Sequence, residues 1–366
     1  MKIGILTFHR AHNYGAVLQC YALQEVVKSM GHEVEVIDYR QPWTEKVYKV
    51  FSLSVFMRSS IMGKLMLVRN LPKRYRMVNY RKKVFSDFND SYLDISMPCH
   101  DVLPQYYDVY LIGSDQLWSA SCMGGDFDDV YLGDFVHPKK SRIVGYALSS
   151  NRDSIIRLSR SKKLAKALDN FYALSFREKS IASFVAEIIP GQYPVVLDPT
   201  LLTDKNIWEP LIDNRWRDKN FVLIHQVRAT KHSTKTIYHN AMQIASLYEG
   251  CEIVDLSTMK YSISDFVSAF KYAKHVLTTS FHATIFSIIF NTPFTSFRLN
   301  DGHDNRYVFL LESLGATFYL SDIDSPFNVE MRKDVCPRFE EQLSRLQTKS
   351  LEYLKKSLNG TSIVGE

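Results

Sequence analysis

The sequence predicts an α/β protein of two doubly wound Rossmann-like domains facing a central cleft, with a C-terminal helix crossing back. Three observations predict it. A chain of 366 residues exceeds what one ordinary core holds. Short apolar runs alternate with amphipathic stretches from Ile3 to Phe297, the rhythm of parallel β-α-β units. Near the middle, residues 203–219 mix Trp, Pro, Asn and charge and break that rhythm. The implied layout is an N-terminal domain over 1–202, a linker over 203–219, a C-terminal domain over 220–335, and a closing helix and tail over 336–366.

Residues 3–8 read as a buried strand and 16–30 as a helix with Leu18, Tyr21, Ala22 and Val26 on one side. Gly31 and His32 stop that helix before the strand 33–38, completing a β-α-β unit. The connecting loop, His9 to Gly15, lies at a strand's carboxyl end, where open α/β sheets bind ligands; it is neither a P-loop nor GxGxxG. Strand 107–112 feeds Gly113-Ser-Asp-Gln-Leu-Trp118, and strand 142–148 leads to Ser149-Ser150. A helix follows at 161–168. The short strand 173–175 exits through Phe176-Arg177-Glu178-Lys179 into helix 180–187, and strand 195–198 is closed by Pro199. The second half restarts with strand 221–225, helix 234–248, strand 252–256 and helix 264–272. Strand 275–279, helix 281–290 and strand 294–297 come next. A polar loop then precedes helix 307–314, and the charged helix 337–358 closes the chain.

Charge is uneven. Between Lys46 and Lys83 stand eleven Lys and Arg with no Asp or Glu, so a chain of net +6 is net −5 elsewhere. The segment has apolar patches at 50–57 and 61–68 and ends in LPKRYRMVNYRKK. Basic and aromatic residues interleaved this way suit a surface helix on anionic headgroups or a lipid-linked diphosphate. An ordinary solvated face, its apolar stripe packed on the domain, has equal claim. No nucleic-acid motif accompanies the charge. No apolar run is long enough to span a bilayer and residues 1–8 lack a signal-peptide pattern. A cytoplasmic location is expected, with peripheral contact at the inner membrane face through 46–83. Cys20, Cys99, Cys122, Cys251 and Cys336 show no paired spacing and read as reduced thiols; the histidines show no metal spacing, so no metal is expected.

The chemistry concentrates in 275–294, HVLTTSFHATIFSIIFNTPF. Ser280 caps an apolar helix whose first turn carries His282, where free N–H groups attract an anion. An isolated histidine there could equally be a core residue bonded to a carbonyl. The polar loops at Asn13–Gly15, 113–116, 149–150, Arg177, His225, 280–282 and 298–306 all sit at strand exits, so two domains would bring them to one cleft. That is the GT-B arrangement.

Five motifs occur in order: NYGAVLQCYAL from Asn13, IGSDQLW from Ile112, SFRE from Ser175, LDPTLL from Leu197 and TTSFHATIFSIIFNTPF from Thr278. In these the chain resembles the polysaccharide pyruvyl transferase family. The resemblance implies a GT-B-like enzyme that moves the enolpyruvyl carbons of phosphoenolpyruvate onto a sugar as a cyclic ketal. Phosphoenolpyruvate is then a co-substrate, and no cofactor is expected. Together with the basic segment, it implies a polyprenyl-diphosphate-linked acceptor, as in capsule or exopolysaccharide assembly. His282 matches the family histidine and is expected as general acid, since imidazole donates and accepts protons near neutrality. Arg177 matches the arginine of the SxRE motif and is expected on the donor phosphate or carboxylate; a structural ion pair with Glu178 or another acid is its alternative. Ser280 and His225 complete the donor side. Other branches carry Arg where this chain has Ser280, so a second cation is expected from Arg298 or Arg306. Asn13, Tyr14, Ser114 and Gln116 are expected on the acceptor sugar. The base on its hydroxyl is expected to be Asp115, with Asp301 and Asp304 as alternatives. Competing functions are a GT-B glycosyltransferase using a nucleotide sugar and a non-catalytic carbohydrate-binding relative. A Cys/His hydrolase is disfavoured because no cysteine falls in the flagged loops.

Overall fold

The computed structural model describes residues 1–41, 57, 60–258, 260–329 and 339–361. Among these residues ten strands form two parallel sheets of five. The first holds β1 (Lys2–Leu6), β2 (Glu33–Val36), β3 (Val109–Asp115), β4 (Arg142–Leu148) and β5 (Ala173–Phe176), in the order β2-β1-β3-β4-β5. The second holds β6 (Phe221–His225), β7 (Glu252–Asp255), β8 (His275–Thr278), β9 (Phe294–Arg298) and β10 (Leu320–Asp322), in the order β7-β6-β8-β9-β10. Both halves thus repeat one strand order. Their inner strands are buried along nearly their whole length, β3 and β4 included, because helices cover both faces. In each half the order reverses at the first strand, and the crevice at the carboxyl ends there is the ligand position of open α/β sheets.

The helices are α1 (Tyr14–Ser29), α2 (Ile61–Tyr92), α3 (Arg152–Arg160), α4 (Lys163–Asn170), α5 (Lys179–Ile188), α6 (Lys231–Ala245), α7 (Ile263–Tyr272), α8 (Phe281–Ile289), α9 (Asn305–Ser313) and α10 (Glu340–Asn359). One hydrophobic cluster joins the halves. Across it Tyr14 of α1 stacks on Phe266 of α7 at 4.5 Å, and Trp208 bridges Tyr21 of α1 and Phe286 of α8 at 5.9 and 4.9 Å. The segment 203–219 is accordingly packed rather than loose. It folds as two 3-10 turns, Lys205–Leu211 and Asn214–Trp216, with Trp208 and Trp216 fully buried. From the far end of the chain α10 returns to the first half. Its Ser350 Oγ accepts from the Leu197 amide at 3.0 Å, its Gln347 donates to the Leu201 carbonyl, and Arg142 of β4 donates to the Leu358 carbonyl at 2.6 Å. Two parallel-sheet halves, a cleft and a returning helix make this the GT-B architecture.

Three expectations change. The stretch 195–198 is no strand: Val195 makes one bridge to Phe176, and Asp198 instead caps the 3-10 turn Pro199–Leu201. The helix expected at 161–168 is α4, which starts two residues later, and a further helix, α3, precedes it unannounced, the two divided at Lys162 in the left-handed region. From Ile61 on, the basic segment lies in the 32-residue helix α2, with Pro72 inside it. Its final turns bury Phe85, Phe88 and Asn89, while Met62, Leu65, Met66 and Val68 near its start are exposed. The earlier part of that segment, 46–56 and 58–59, lies outside the described residues, as does the predicted start of the closing helix at 337. Among the described residues no helix is long and apolar enough to cross a membrane, and no group of His, Cys, Asp and Glu is disposed to hold a metal ion.

Candidate active site

The chain leaves β8 through Ser280, whose hydroxyl accepts from the Ala283 amide and starts α8. One residue into the helix, the His282 ring lies across the cleft on Gly15 of α1. A Cβ at position 15 would stand 2.0 Å from His282 Nδ1, so only glycine admits the imidazole. The Nε2 atom is buried without a hydrogen bond and points at Asp198 Oδ2, 3.7 Å away. That leaves Nδ1 as the nitrogen facing the cavity.

Asp198 is fixed from every side. Its Oδ2 accepts from Arg177 Nη1 at 2.7 Å and Ser114 Oγ at 3.2 Å; its Oδ1 accepts from the Thr200 amide and hydroxyl at 3.1 and 2.7 Å. Burial alone would raise its pKa, but His282, Arg177 and Thr200 together hold the carboxyl well below the usual carboxylate range. Asp198 is therefore an anion, and it favours the proton on His282 Nε2. Arg177 is itself buried. Its guanidinium also lies 3.5 Å from both Asp115 and Glu178, and the Phe281 ring covers it at 4.5 Å. Burial lowers its tendency to hold a proton, but the three carboxylates outweigh this and raise it. Glu178 accepts from Ser149 Oγ at 2.6 Å through Oε1, while its Oε2 is buried with no partner. Burial pushes the Glu178 carboxyl up, against the opposing charges of Arg177 and Arg306.

In front of His282 opens a cavity of about 290 Å³ walled by both halves. Three arginines reach it: Arg81 from α2, Arg228 from the loop after β6 and Arg306 from α9. Among the described residues no carboxylate lines it. Arg81 donates to the His12 carbonyl at 2.7 Å, and Arg228 is held by Asp301 and Asp304. Arg306 makes no ion pair among the described residues; its guanidinium lies 6.0 Å from the Phe281 ring. His225, at the end of β6, lines the same space. Burial is the main cause of its pKa being pushed down to about 4, so it stands there neutral. A cavity of this makeup suits a small, multiply charged anion placed beside a proton donor.

A family model, polysaccharide pyruvyl transferase, matches residues 13–301. The chain belongs to that family. No curated protein sequence matches it. Among solved structures it is similar to a UDP-GlcNAc 2-epimerase from Neisseria meningitidis bound to UDP-GlcNAc, with 8% identity over 97% of this chain and 100% of that one and a TM-score of 0.45. It is similar to a UDP-N-acetylglucosamine 2-epimerase from Rickettsia bellii, with 11% identity over 98% and 97% and a TM-score of 0.49. A spinosyn forosaminyltransferase is similar at 12% identity over 99% and 95%, with a TM-score of 0.37.

In this polysaccharide pyruvyl transferase family member the structure gathers His282, Ser280, His225 and Arg306 around one cavity, with Asn13 and Tyr14 on its opposite wall. Other expected residues stand elsewhere. Arg298 pairs with Asp322 at 2.7 Å and lines none of these cavities, whereas Arg306 lines the one in front of His282. Arg177 is behind the cavity, in the ion pair with Asp198, because two strand exits of the first half converge on it. Ser114 is fully buried and spends its hydroxyl on Asp198. Tyr14 donates to the Tyr261 carbonyl at 2.6 Å and has a face covered by Phe266, which removes it as a platform for a sugar ring. Gln116 lines a second cavity of about 610 Å³ beside Glu178, separated from the first by Arg306. Asp304 is consumed by Arg228, Tyr307 and two backbone amides. The sequence reading gave no site role to Asp198, Arg81 or Arg228, and it placed Gly15 only within a loop at the cleft. The aspartate before Pro199 and the glycine opening α1 were visible signals; the two arginines had none.

Proposed function

We propose that the chain transfers the enolpyruvyl group of phosphoenolpyruvate to a sugar of a lipid-linked polysaccharide repeat unit, as in capsule or exopolysaccharide assembly. The product is a cyclic pyruvate ketal. The observation that carries this reading is a small cavity with three guanidinium groups, no carboxylate among the described residues, and a histidine backed by a buried carboxylate. Phosphoenolpyruvate brings a phosphate and a carboxylate, matching that wall. His282 Nδ1 donates its proton to C3 of the enol, and Asp198 stabilises the imidazolium from the Nε2 side. A sugar hydroxyl adds to C2 and gives its proton to a carboxylate. Asp115 and Glu178 are the acids at hand; Glu178, with its unpartnered Oε2 in the wall of the second cavity, is the better placed. A second hydroxyl then forms the other C2–O bond as the C2–O bond to phosphate breaks. Its proton returns His282 to its starting state, and the proton held by the carboxylate leaves with phosphate. These steps use no cofactor. The exposed basic and apolar start of α2 belongs to the same proposal, as the contact with anionic headgroups at the inner membrane face.

The test is calorimetric binding of phosphoenolpyruvate to wild type and to Arg306→Gln, with ketal product followed by mass spectrometry. Loss of one charge-assisted contact is expected to weaken binding about tenfold. Wild-type protein that does not bind phosphoenolpyruvate ends the proposal.

A further inference from the structure

A third cavity, of about 590 Å³, lies between the loop following β1 and the C-terminal half of α2. It occupies the carboxyl edge of β1 and β2. The loop is pinned to the helix at both ends: Asn89 donates to the His9 carbonyl at 2.9 Å, and Arg81 to the His12 carbonyl at 2.7 Å. The cavity is the space those two bonds hold open. Its wall carries both cationic and apolar side chains. Arg10 and Arg40 both bind Asp38, whose single buried charge neutralises one of them, and Lys82 adds a further exposed charge. Among the described residues no carboxylate lines the cavity directly. Phe8, Tyr39, Val78 and Phe85 make the apolar part. His12, stacked on Phe85 at 5.4 Å, is the partition shared with the arginine-lined cavity in front of His282.

Cationic side chains beside aromatic and aliphatic walls, next to the proposed site of transfer, fit one kind of occupant. We infer that this cavity holds the diphosphate and first isoprene units of an isoprenyl diphosphate carrying the acceptor sugar. The sugar then projects past His12 toward His282. The exposed Met62, Leu65, Met66 and Val68 lie on the same helix that forms one wall, which offers the remaining lipid chain a route to a membrane surface. The inference rests on the pyruvyl-transfer reading of the adjoining cavity, but it is tested without any turnover.

The experiment measures binding of farnesyl diphosphate and of inorganic diphosphate to the full chain by calorimetry. Wild type, Lys82→Glu, Val78→Asp and Arg74→Glu are compared, with phosphoenolpyruvate binding recorded for each. Arg74 is on the same helix but outside the cavity. Expected are saturable farnesyl diphosphate binding at least about tenfold tighter than diphosphate, and weakening of about tenfold in Lys82→Glu and in Val78→Asp. Arg74→Glu is expected to bind as wild type, and all four to keep their phosphoenolpyruvate affinity. Absent farnesyl diphosphate binding, or binding that Arg74→Glu weakens as much as Lys82→Glu, overturns the inference. Equal affinity for inorganic diphosphate also overturns it, since the apolar wall would then contribute nothing. Wild-type failure with phosphoenolpyruvate alone would strike the pyruvyl-transfer reading instead.

Discussion

Replacing Gly15 by alanine puts one methyl group where the structure has an imidazole. The backbone at position 15 is ordinary helix, so alanine meets no torsional objection, and helix propensity favours it by up to about 1 kcal/mol. The objection is steric and comes from across the cleft: the new Cβ would lie 2.0, 2.4 and 2.6 Å from His282 Nδ1, Cγ and Cε1. Ordinary contact needs well over an ångström more, so the ring must swing away from Asp198 or the halves must part. Overpacking of this size costs on the order of 1–3 kcal/mol. The decisive assay is urea unfolding of four proteins: wild type, Gly15→Ala, His282→Ala and the double variant. Gly15→Ala is expected to destabilise wild type, yet to stabilise the His282→Ala background, where the clash is gone. The coupling between the two sites should be about 2 kcal/mol or more. Equal effects of Gly15→Ala in both backgrounds would refute the packing of His282 on α1. Displacing a proton donor by about 1 Å also predicts a fall in turnover near a hundredfold.

Other expectations follow from the same contacts. Arg298→Gln should leave phosphoenolpyruvate affinity as it is, because Arg298 serves Asp322, whereas Arg228→Met should weaken it about tenfold in calorimetry by freeing Asp301 and Asp304 beside the cavity. The Asp38 carboxyl is held far below its ordinary value; burial acts upward, but His9, Arg10 and Arg40 prevail. Its folded-state value is depressed, so its stabilisation is full above the unfolded value near ~4 and lost as pH falls below it. Urea unfolding across pH 3–6 (roughly the span around that value) should show a shallower acid loss for Asp38→Asn than for wild type. His225, pushed down to about 4 by burial, should show no imidazole titration by NMR between pH 5 and 8 (about the range in which a free histidine titrates).

Much of the fold was legible because its strands are buried on both faces. Such strands read as uninterrupted apolar runs, as in 142–148 and 221–225, where the predicted and observed limits coincide. What escaped were elements whose reason lies elsewhere in the chain. The three residues of β10 carry little pattern of their own and exist through pairing with β9. The Asp198 stretch reads as a strand by composition, yet the side chain of its last residue is claimed by Arg177, Ser114 and Thr200, and the backbone turns to let it be claimed. The same limit governs the site. His282 and Ser280 announce themselves locally, as a polar first turn on an apolar helix. Whether Arg177 meets a ligand or an acid depends on which strand exits converge behind it, and no local pattern records that. Arg228 follows β6 and Arg306 opens α9, and they meet only because the second half is wound as the first is.

The returning helix α10 has a mechanical consequence. The chain passes between the halves once through the packed 203–219 segment and again on its way to α10, which is fastened to β4 and to residues 197–201. A body joined to another at one point can turn in any direction; joined at two, it can only swing about the line between them. Any widening of the cleft is therefore a door's motion and not a ball joint's. Gly15 and His282 stand on opposite leaves of that door, so each closing restores the same register between the proton donor and the wall it faces.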